Sequence, residues 1–447
     1  MTKSEDKPAA DKSNEHSSMR RILGNFVYLL RGRGVAALML FGATALAARG
    51  LGPAEFGLLI LIQTYSQLVR SLLNFKQFQG IVRYGVPIYD NGDMTSLRRL
   101  LRVNLRIDRD STIVAFIVAI ALAPFVGPLI GLDEQYVMLL VLYTLVIPIT
   151  GKNTATGVLR LFDRFDVIGT QMTIAPAIRF CGVVFAWWFD APLLAYVLIM
   201  MLASIVKNLY LMWCGWREYM KQIGHPSEGE DNSKAHMSEF PGLRNFLWVT
   251  YWQSNVDLVP RKLSTMMVGY LLGATDVGML RLARQVSSMM SKPATLIRTV
   301  VFPDLTRSWH QGHDDFGMIA FRISMIAGGS GLLFVLLGYF FGTDLLAILF
   351  GQEYVGAATV LTLLLLAASF NLAASSLRSA AYAIGHAGQV LRIHVVSSVV
   401  YLVLFFVLAM QFGLWGVGIA TCIAYAIPPI AMALLIKKSI RHRASSV

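Results

Sequence analysis

Cysteine is scarce. Cys181, Cys214 and Cys422 are the only three in 447 residues, too few and too scattered for a disulfide framework or a paired thiolate motif, and they read as packing residues. Charge is scarce too, at 15% of residues, where a water-soluble fold carries about a quarter. No Gly-rich phosphate cradle followed by Lys and Ser or Thr occurs, which argues against built-in ATP hydrolysis. His310, His313, His386 and His394 lack metal-ligand spacing, so neither a metal nor a cofactor is expected. The opening residues are polar and mixed in charge, without the apolar core of a cleavable signal peptide, and residues 1–20 read as a disordered cytoplasmic lead.

What fills the chain instead is apolar: 55% of residues. Runs of the roughly 20 residues that cross a bilayer recur from Gly34 to Leu435. The expected spans are 26–49, 56–76, 111–131, 136–157, 167–189, 191–213, 246–270, 276–298, 317–341, 354–377, 391–411 and 413–436. Backbone in lipid must satisfy its own hydrogen bonds, so the fold class is an all-α polytopic membrane protein of about twelve transmembrane helices. Lys and Arg crowd alternate connections, above all Arg98, Arg99, Arg102, Arg106 and Arg109 and the tail from Lys437, while the loops at Gly52–Glu55, Asp133–Gln135 and Thr275–Asp276 have none. Both termini are therefore expected in the cytoplasm. The net charge of +13 reads as topology and contact with anionic lipids, and nucleic acid is not an expected partner.

The chain repeats itself. Leu51-Gly52-Pro53-Ala54-Glu55-Phe56-Gly57 returns as Leu272-Gly273-Ala274-Thr275-Asp276-Val277-Gly278, an offset of 221 residues; Asn25-Phe26 answers Asn245-Phe246, and Gly131 with Tyr136 answers Gly351 with Tyr354. Six helices per copy put both copies into the membrane in the same direction, as two parallel six-helix repeats with a substrate site expected between them. The expected organisation is an N-terminal lobe at 21–215, a flexible cytoplasmic linker at 216–244, a C-terminal lobe at 245–436 and a basic cytoplasmic tail at 437–447.

These residues, with Ala48-Arg49-Gly50 before the first copy, Asp257, Pro303 and Phe412-Gly413-Leu414-Trp415-Gly416-Val417-Gly418, resemble the polysaccharide-unit (Wzx-type) flippases of the multidrug/oligosaccharidyl-lipid/polysaccharide exporter superfamily. The likeness covers nearly all the chain after residue 20. It implies a V-shaped bundle in the bacterial inner membrane that moves an undecaprenyl-diphosphate-linked oligosaccharide by alternating access, for O-antigen, capsule or exopolysaccharide synthesis. Polysaccharide polymerase and chain-length proteins are the implied partners, and the transporter is expected to act as a monomer. A drug/cation antiporter of the same superfamily is the alternative, disfavoured by a basic interior. A polytopic sugar polymerase or ligase is a further one, disfavoured by short external loops; the chain is not expected to be an enzyme.

Inside the spans, polar side chains line up. Gln63, Gln67, Arg70 and Asn74 fall on one face of helix 2; Arg281, Gln285, Ser288 and Lys292 on one face of helix 8, with Arg284 on an adjoining row; Thr250, Gln253, Asp257, Arg261 and Ser264 on helix 7. A charge at bilayer depth costs at least about 2.5–3.5 kcal/mol, so each needs a partner, a cavity or an escape to the headgroups. Arg forks suit a diphosphate, and Arg33, Arg70, Arg261, Arg284 and Lys292 are the candidate diphosphate-binding wall, against structural ion pairing or, for Arg33, lipid contact. Gln63, Gln67, Asn74, Gln253, Gln285 and Ser288 are candidate polar lining. Asp257 either pairs with Arg261 at i+4 or couples transport to a proton or cation. Tyr251 and Trp252 either stack on sugar or pack ordinarily.

Overall fold

Long apolar runs interrupted by single glycines dictate the architecture. A computed structural model describes residues 10–224, 235–256, 258–289 and 316–444, with side chains from residue 34 onward and as far as 440. Every regular element among the described residues is helical: α1 (Ala10–Leu72), α2 (Phe78–Asp90), α3 (Met94–Leu129), α4 (Glu134–Thr144), α5 (Asn153–Leu161), α6 (Phe165–Trp188), α7 (Leu193–Gln222), α8 (Leu243–Asn255), α9 (Leu258–Leu272), α10 (274–289), α11 (Phe316–Phe350), α12 (Ala358–Ala383) and α13 (Ala387–Ala444), with short 3-10 turns between some of them.

Two of these are double. Gly52 (φ 69°, ψ 173°) divides α1, with Pro53 opening the second helix where its missing N–H is harmless, and Gly413 (φ 59°, ψ −138°) divides α13. Eight described helices are long and apolar enough to cross a membrane. Dividing α1 and α13 and adding the α8–α9 pair and α10 gives twelve crossings among the described residues, so the chain is a polytopic α-helical membrane protein.

Three boundaries differ from those the hydropathy pattern suggests. The basic 76–110 connection is itself helical: α2 packs Ile81 and Gly85 inward, and α3 starts at Met94 rather than near 111. Thirty-six residues make about 54 Å of helix, well beyond the roughly 30 Å of hydrocarbon, so the Arg-rich stretch is a helix standing outside the lipid. The fourth span is discontinuous, α4 and α5 being separated by a 3-10 turn at Ile147–Thr150. In the seventh, α8 ends at Asn255 and Val256 is in a turn.

The contacts divide into two compact units. One comprises residues 1–46, 73–116 and 145–251; here α6 packs on α7, and α5 on α2 and α7. Its polar end is tied by arginines: Arg98 Nη2 donates to the Ile223 carbonyl (3.0 Å), Arg106 Nη1 to that of Ala235 (3.2 Å), and Arg99 pairs with Glu239 at 3.4 Å. The second unit comprises 47–72, 117–144 and 252–447, built around α11, α12 and α13 with α9 against α13.

Within this second unit the duplicated segments meet each other. A Cβ added at Gly57 would stand 1.7 Å from the Ala274 carbonyl oxygen, and one at Gly278 would stand 2.7 Å from that of Pro53. The 221-residue offset equates Pro53 with Ala274 and Gly57 with Gly278, so each copy's glycine admits the other copy's carbonyl. Gly52 and Gly273, equated by the same offset, share a positive φ (69° and 93°). Beside this contact the fully buried Tyr354 stands edge-on to Phe56 (6.3 Å, 87°) and donates to the Ala48 carbonyl (2.9 Å), while Arg49 donates to that of Ile348.

Candidate functional site

Arg284 is the candidate residue whose surroundings are most fully specified. The helix α10 buries Leu280, Leu282 and Ala283 around it, and its guanidinium donates to three hydroxyls: Nη1 to Thr265 Oγ1 (2.9 Å), Nη2 to Ser264 Oγ (2.9 Å) and Nη2 to the Tyr401 hydroxyl (3.1 Å). Both α9 hydroxyls already donate to the Arg261 carbonyl, Ser264 at 2.9 Å and Thr265 at 3.1 Å. Their protons are thereby turned away, and their lone pairs face the cation. Tyr401 comes from α13, where its ring leans on Phe405 (5.4 Å, 64°). Among the described residues the partners of Arg284 are all neutral, so the hydrogen bonds fix the guanidinium without cancelling its charge. Among the described residues three of its five N–H donors are used and two remain.

The stripe on the second half of α1 has a different use. Gln63 is half-buried, the Gln67 side chain is exposed, and Arg70 is buried at 7% exposure. Lys262 Nζ reaches this helix, donating to the Gln67 carbonyl (2.9 Å) and to Ser71 Oγ (2.9 Å). The Gln67 carbonyl also accepts the Ser71 hydroxyl, so Lys262 joins a carbonyl and a hydroxyl that are already bonded to each other near the end of this helix. On α9 Arg261 is exposed and contributes its carbonyl to the Arg284 pocket. On α10 Arg281 and Ser288 are exposed, and half-buried Gln285 accepts the Ser288 hydroxyl through its carbonyl (2.8 Å).

In the first unit, half-buried Asn74 belongs to a polar chain. Asn153 Nδ2 donates to both Asn74 Oδ1 (2.9 Å) and Asp108 Oδ1 (2.9 Å), while Asp108 Oδ2 accepts from the Thr154 backbone N–H (3.2 Å) at the start of α5. Asn74 Oδ1 also accepts from the Lys76 N–H (3.1 Å). Tyr251 lies 5.1 Å from the Phe75 ring and 5.6 Å from the Trp248 ring. Trp252 and Gln253, beyond it on α8, are exposed.

Asp257 and Lys292 lie outside the described residues, as does the side chain of Arg33. Sequence periodicity puts Arg284 on a row adjoining the helix 8 stripe, and it misses Tyr401, a lone polar ring in an apolar run, and Lys262, which is off the helix 7 stripe. Asp108, Asn153 and Phe75 are missed as well, because they converge from three separate segments. Among the described residues no group of three metal-ligating side chains occurs.

Comparison with known proteins agrees with this architecture. The sequence profile of the family described as "Polysaccharide biosynthesis protein" matches residues 22–309. The chain is 29% identical over 347 residues to "Inner membrane protein YghQ" of Escherichia coli (strain K12), covering 76% of this chain and 95% of that one. Among solved structures, "Lipid II flippase MurJ, inward closed conformation" superposes with a TM-score of 0.71 at 13% identity, over 93% of this chain and 89% of that one. An inward-facing multidrug resistance MATE family transporter of the MOP superfamily gives 0.64 at 13% identity, over 91% and 95%.

Proposed function

Because the chain belongs to the polysaccharide biosynthesis protein family, we propose that it flips an undecaprenyl-diphosphate-linked oligosaccharide from the cytoplasmic to the periplasmic leaflet of the bacterial inner membrane by alternating access, feeding O-antigen, capsule or exopolysaccharide synthesis. The observation that carries the reading is the Arg284 guanidinium, oriented by three hydroxyls and keeping two N–H donors. A diphosphate supplies dense negative charge and acceptor oxygens in pairs, the complement of an arginine fork. The shared fold with MATE and MurJ transporters supports a transporter rather than an enzyme.

In this reading Arg70, Arg261, Arg33 and Lys292 add positive charge along the diphosphate's path. Gln63, Gln67, Asn74, Gln253, Gln285 and Ser288 exchange hydrogen bonds with the passing sugar. Asp257 couples movement to a proton or cation gradient. Both termini face the cytoplasm, the flippase works as a monomer, and a polysaccharide polymerase with its chain-length protein receives the product.

Deleting the gene and analysing lipid-linked sugars and surface polymer tests the reading directly. The expected result is loss of polymer with accumulation of a diphosphate-linked oligosaccharide in the cytoplasmic leaflet. Normal surface polymer together with heightened sensitivity to cationic drugs would transfer the assignment to a drug antiporter.

A further inference from the structure

The first unit holds a compact stack of three aromatic rings. Phe75, Tyr251 and Trp248 are near parallel, with interplanar angles of 32° (Phe75–Tyr251), 16° (Trp248–Tyr251) and 27° (Phe75–Trp248) and centroids 5.1, 5.6 and 6.3 Å apart. Trp248 is 52% exposed, and Phe75 and Tyr251 are partly so. Two of the rings are held by α8, one turn apart. The third belongs to a non-helical turn after Leu72, and its place depends on that turn being rigid.

That rigidity has an identifiable source. The residue before Phe75 is Asn74, whose side-chain oxygen accepts from Asn153 and from the Lys76 N–H that closes the turn; Lys76 itself adopts a left-handed φ of 54°. Asn153 is held in turn by Asp108, a carboxylate with 1% exposure that also caps α5 through the Thr154 N–H. Thr112 Oγ1 donates to the Asp108 carbonyl (2.6 Å). A buried carboxylate and two amides thus fix the one turn that carries Phe75. An aromatic ring that only anchors a protein at the lipid interface needs no such register, since headgroups accept it in many orientations.

We propose that Phe75, Tyr251 and Trp248 form a carbohydrate-stacking subsite, taking the C–H face of a pyranose ring in the lipid-linked substrate, with Asp108, Asn153 and Asn74 as positioning residues. A pyranose presents an apolar C–H face and a rim of hydroxyls, and the exposed part of the ring stack, above all Trp248, offers aromatic surface to that face. The subsite rests on the flippase reading.

The test measures binding of two probes to the full chain in lipid nanodiscs: bare polyprenyl diphosphate and polyprenyl diphosphate carrying N-acetylglucosamine. The unaltered protein is expected to prefer the glycosylated lipid by about 3- to 10-fold, the scale of one aromatic stacking contact. Phe75→Leu and Tyr251→Leu should each bring the affinity ratio toward one, Asn153→Ala should lower it with the rings intact, and Phe75→Tyr should keep it. A ratio unchanged in Tyr251→Leu, or both affinities falling together as expected of a lipid-anchoring ring, would overturn the subsite. Failure of the unaltered protein to bind either lipid would remove the flippase reading itself, and the subsite with it.

Discussion

A guanidinium surrounded by hydroxyls is fixed in place yet keeps its charge, which distinguishes Arg284 from an arginine such as Arg164, paired with Glu218 at 2.5 Å and Asp166 at 3.0 Å. Arg284→Ala is expected to lower flipping by about 10- to 150-fold, the equivalent of a charge-assisted hydrogen bond worth about 1.5–3 kcal/mol. Arg284→Lys should recover part of this, because it keeps the charge and loses the planar fork. Surface polymer yield normalised to folded protein is the measurement, and full yield from Arg284→Ala would remove the arginine from the substrate path. The glycines at the duplicated segments make a second, purely steric prediction. Gly57→Ala puts a methyl against the Ala274 backbone and should destabilise the protein by about 1–3 kcal/mol; Gly278→Ala, with the more distant Pro53 oxygen, should cost less. Thermal unfolding in detergent checks the order, and an unchanged midpoint for Gly57→Ala contradicts the close approach.

Among the elements, those defined by apolar content alone were legible in the sequence, and those defined by where a helix stops were less so. The run from Tyr136 to Thr150 is apolar throughout, so hydropathy carries it across Pro148 and Gly151 without a break, although both residues mark the point where α4 gives way to a turn and α5 begins. For α3 the error is reversed: its basic first half fails a hydropathy test but suits a helix outside lipid, and it is started by Asp93, whose Oδ1 accepts the Ser96 N–H at 2.9 Å. Hydrogen bonding from Ser96, aided by the Arg99 charge, holds the Asp93 carboxyl below its ordinary range. With the folded pKa below the unfolded value of about 3.9, the cap's contribution is complete above that value and disappears as pH falls through the folded pKa. Asp93→Ala should therefore cost about 1 kcal/mol at neutral pH, seen as faster amide exchange at Ser96 and Leu97, and the difference between variant and parent should vanish in strong acid. Of the candidate site, helical spacing puts Arg284 beside a polar stripe, whereas the hydroxyl of Tyr401 and the Asp108–Asn153–Asn74 chain are not legible in it, because periodicity reads one helix at a time and these contacts join several.

At the scale of the whole molecule, the Lys and Arg distribution makes a topology prediction that the membrane-crossing helices permit but do not orient. In a background lacking the native cysteines, single cysteines at positions 133 and 276 should react with an impermeant reagent added outside, and one at position 99 should react only after permeabilisation. The reverse pattern would invert the protein. One feature of the chain also bears on its history. When residue i of one copy meets residue j of the other and j of the first meets i of the second, the contact is isologous, the mark of a homodimer's symmetric interface. Gly57 against Ala274 and Gly278 against Pro53 satisfy this within a single polypeptide. The matched segments thus meet as the two sides of a homodimer interface would, and neither is free to drift alone. Helices facing lipid can diverge, as most of the two halves have, but a side chain gained at either glycine must be answered by a retreat of backbone in the opposite copy, which explains why the shared signature survives at the hairpins when it has faded elsewhere.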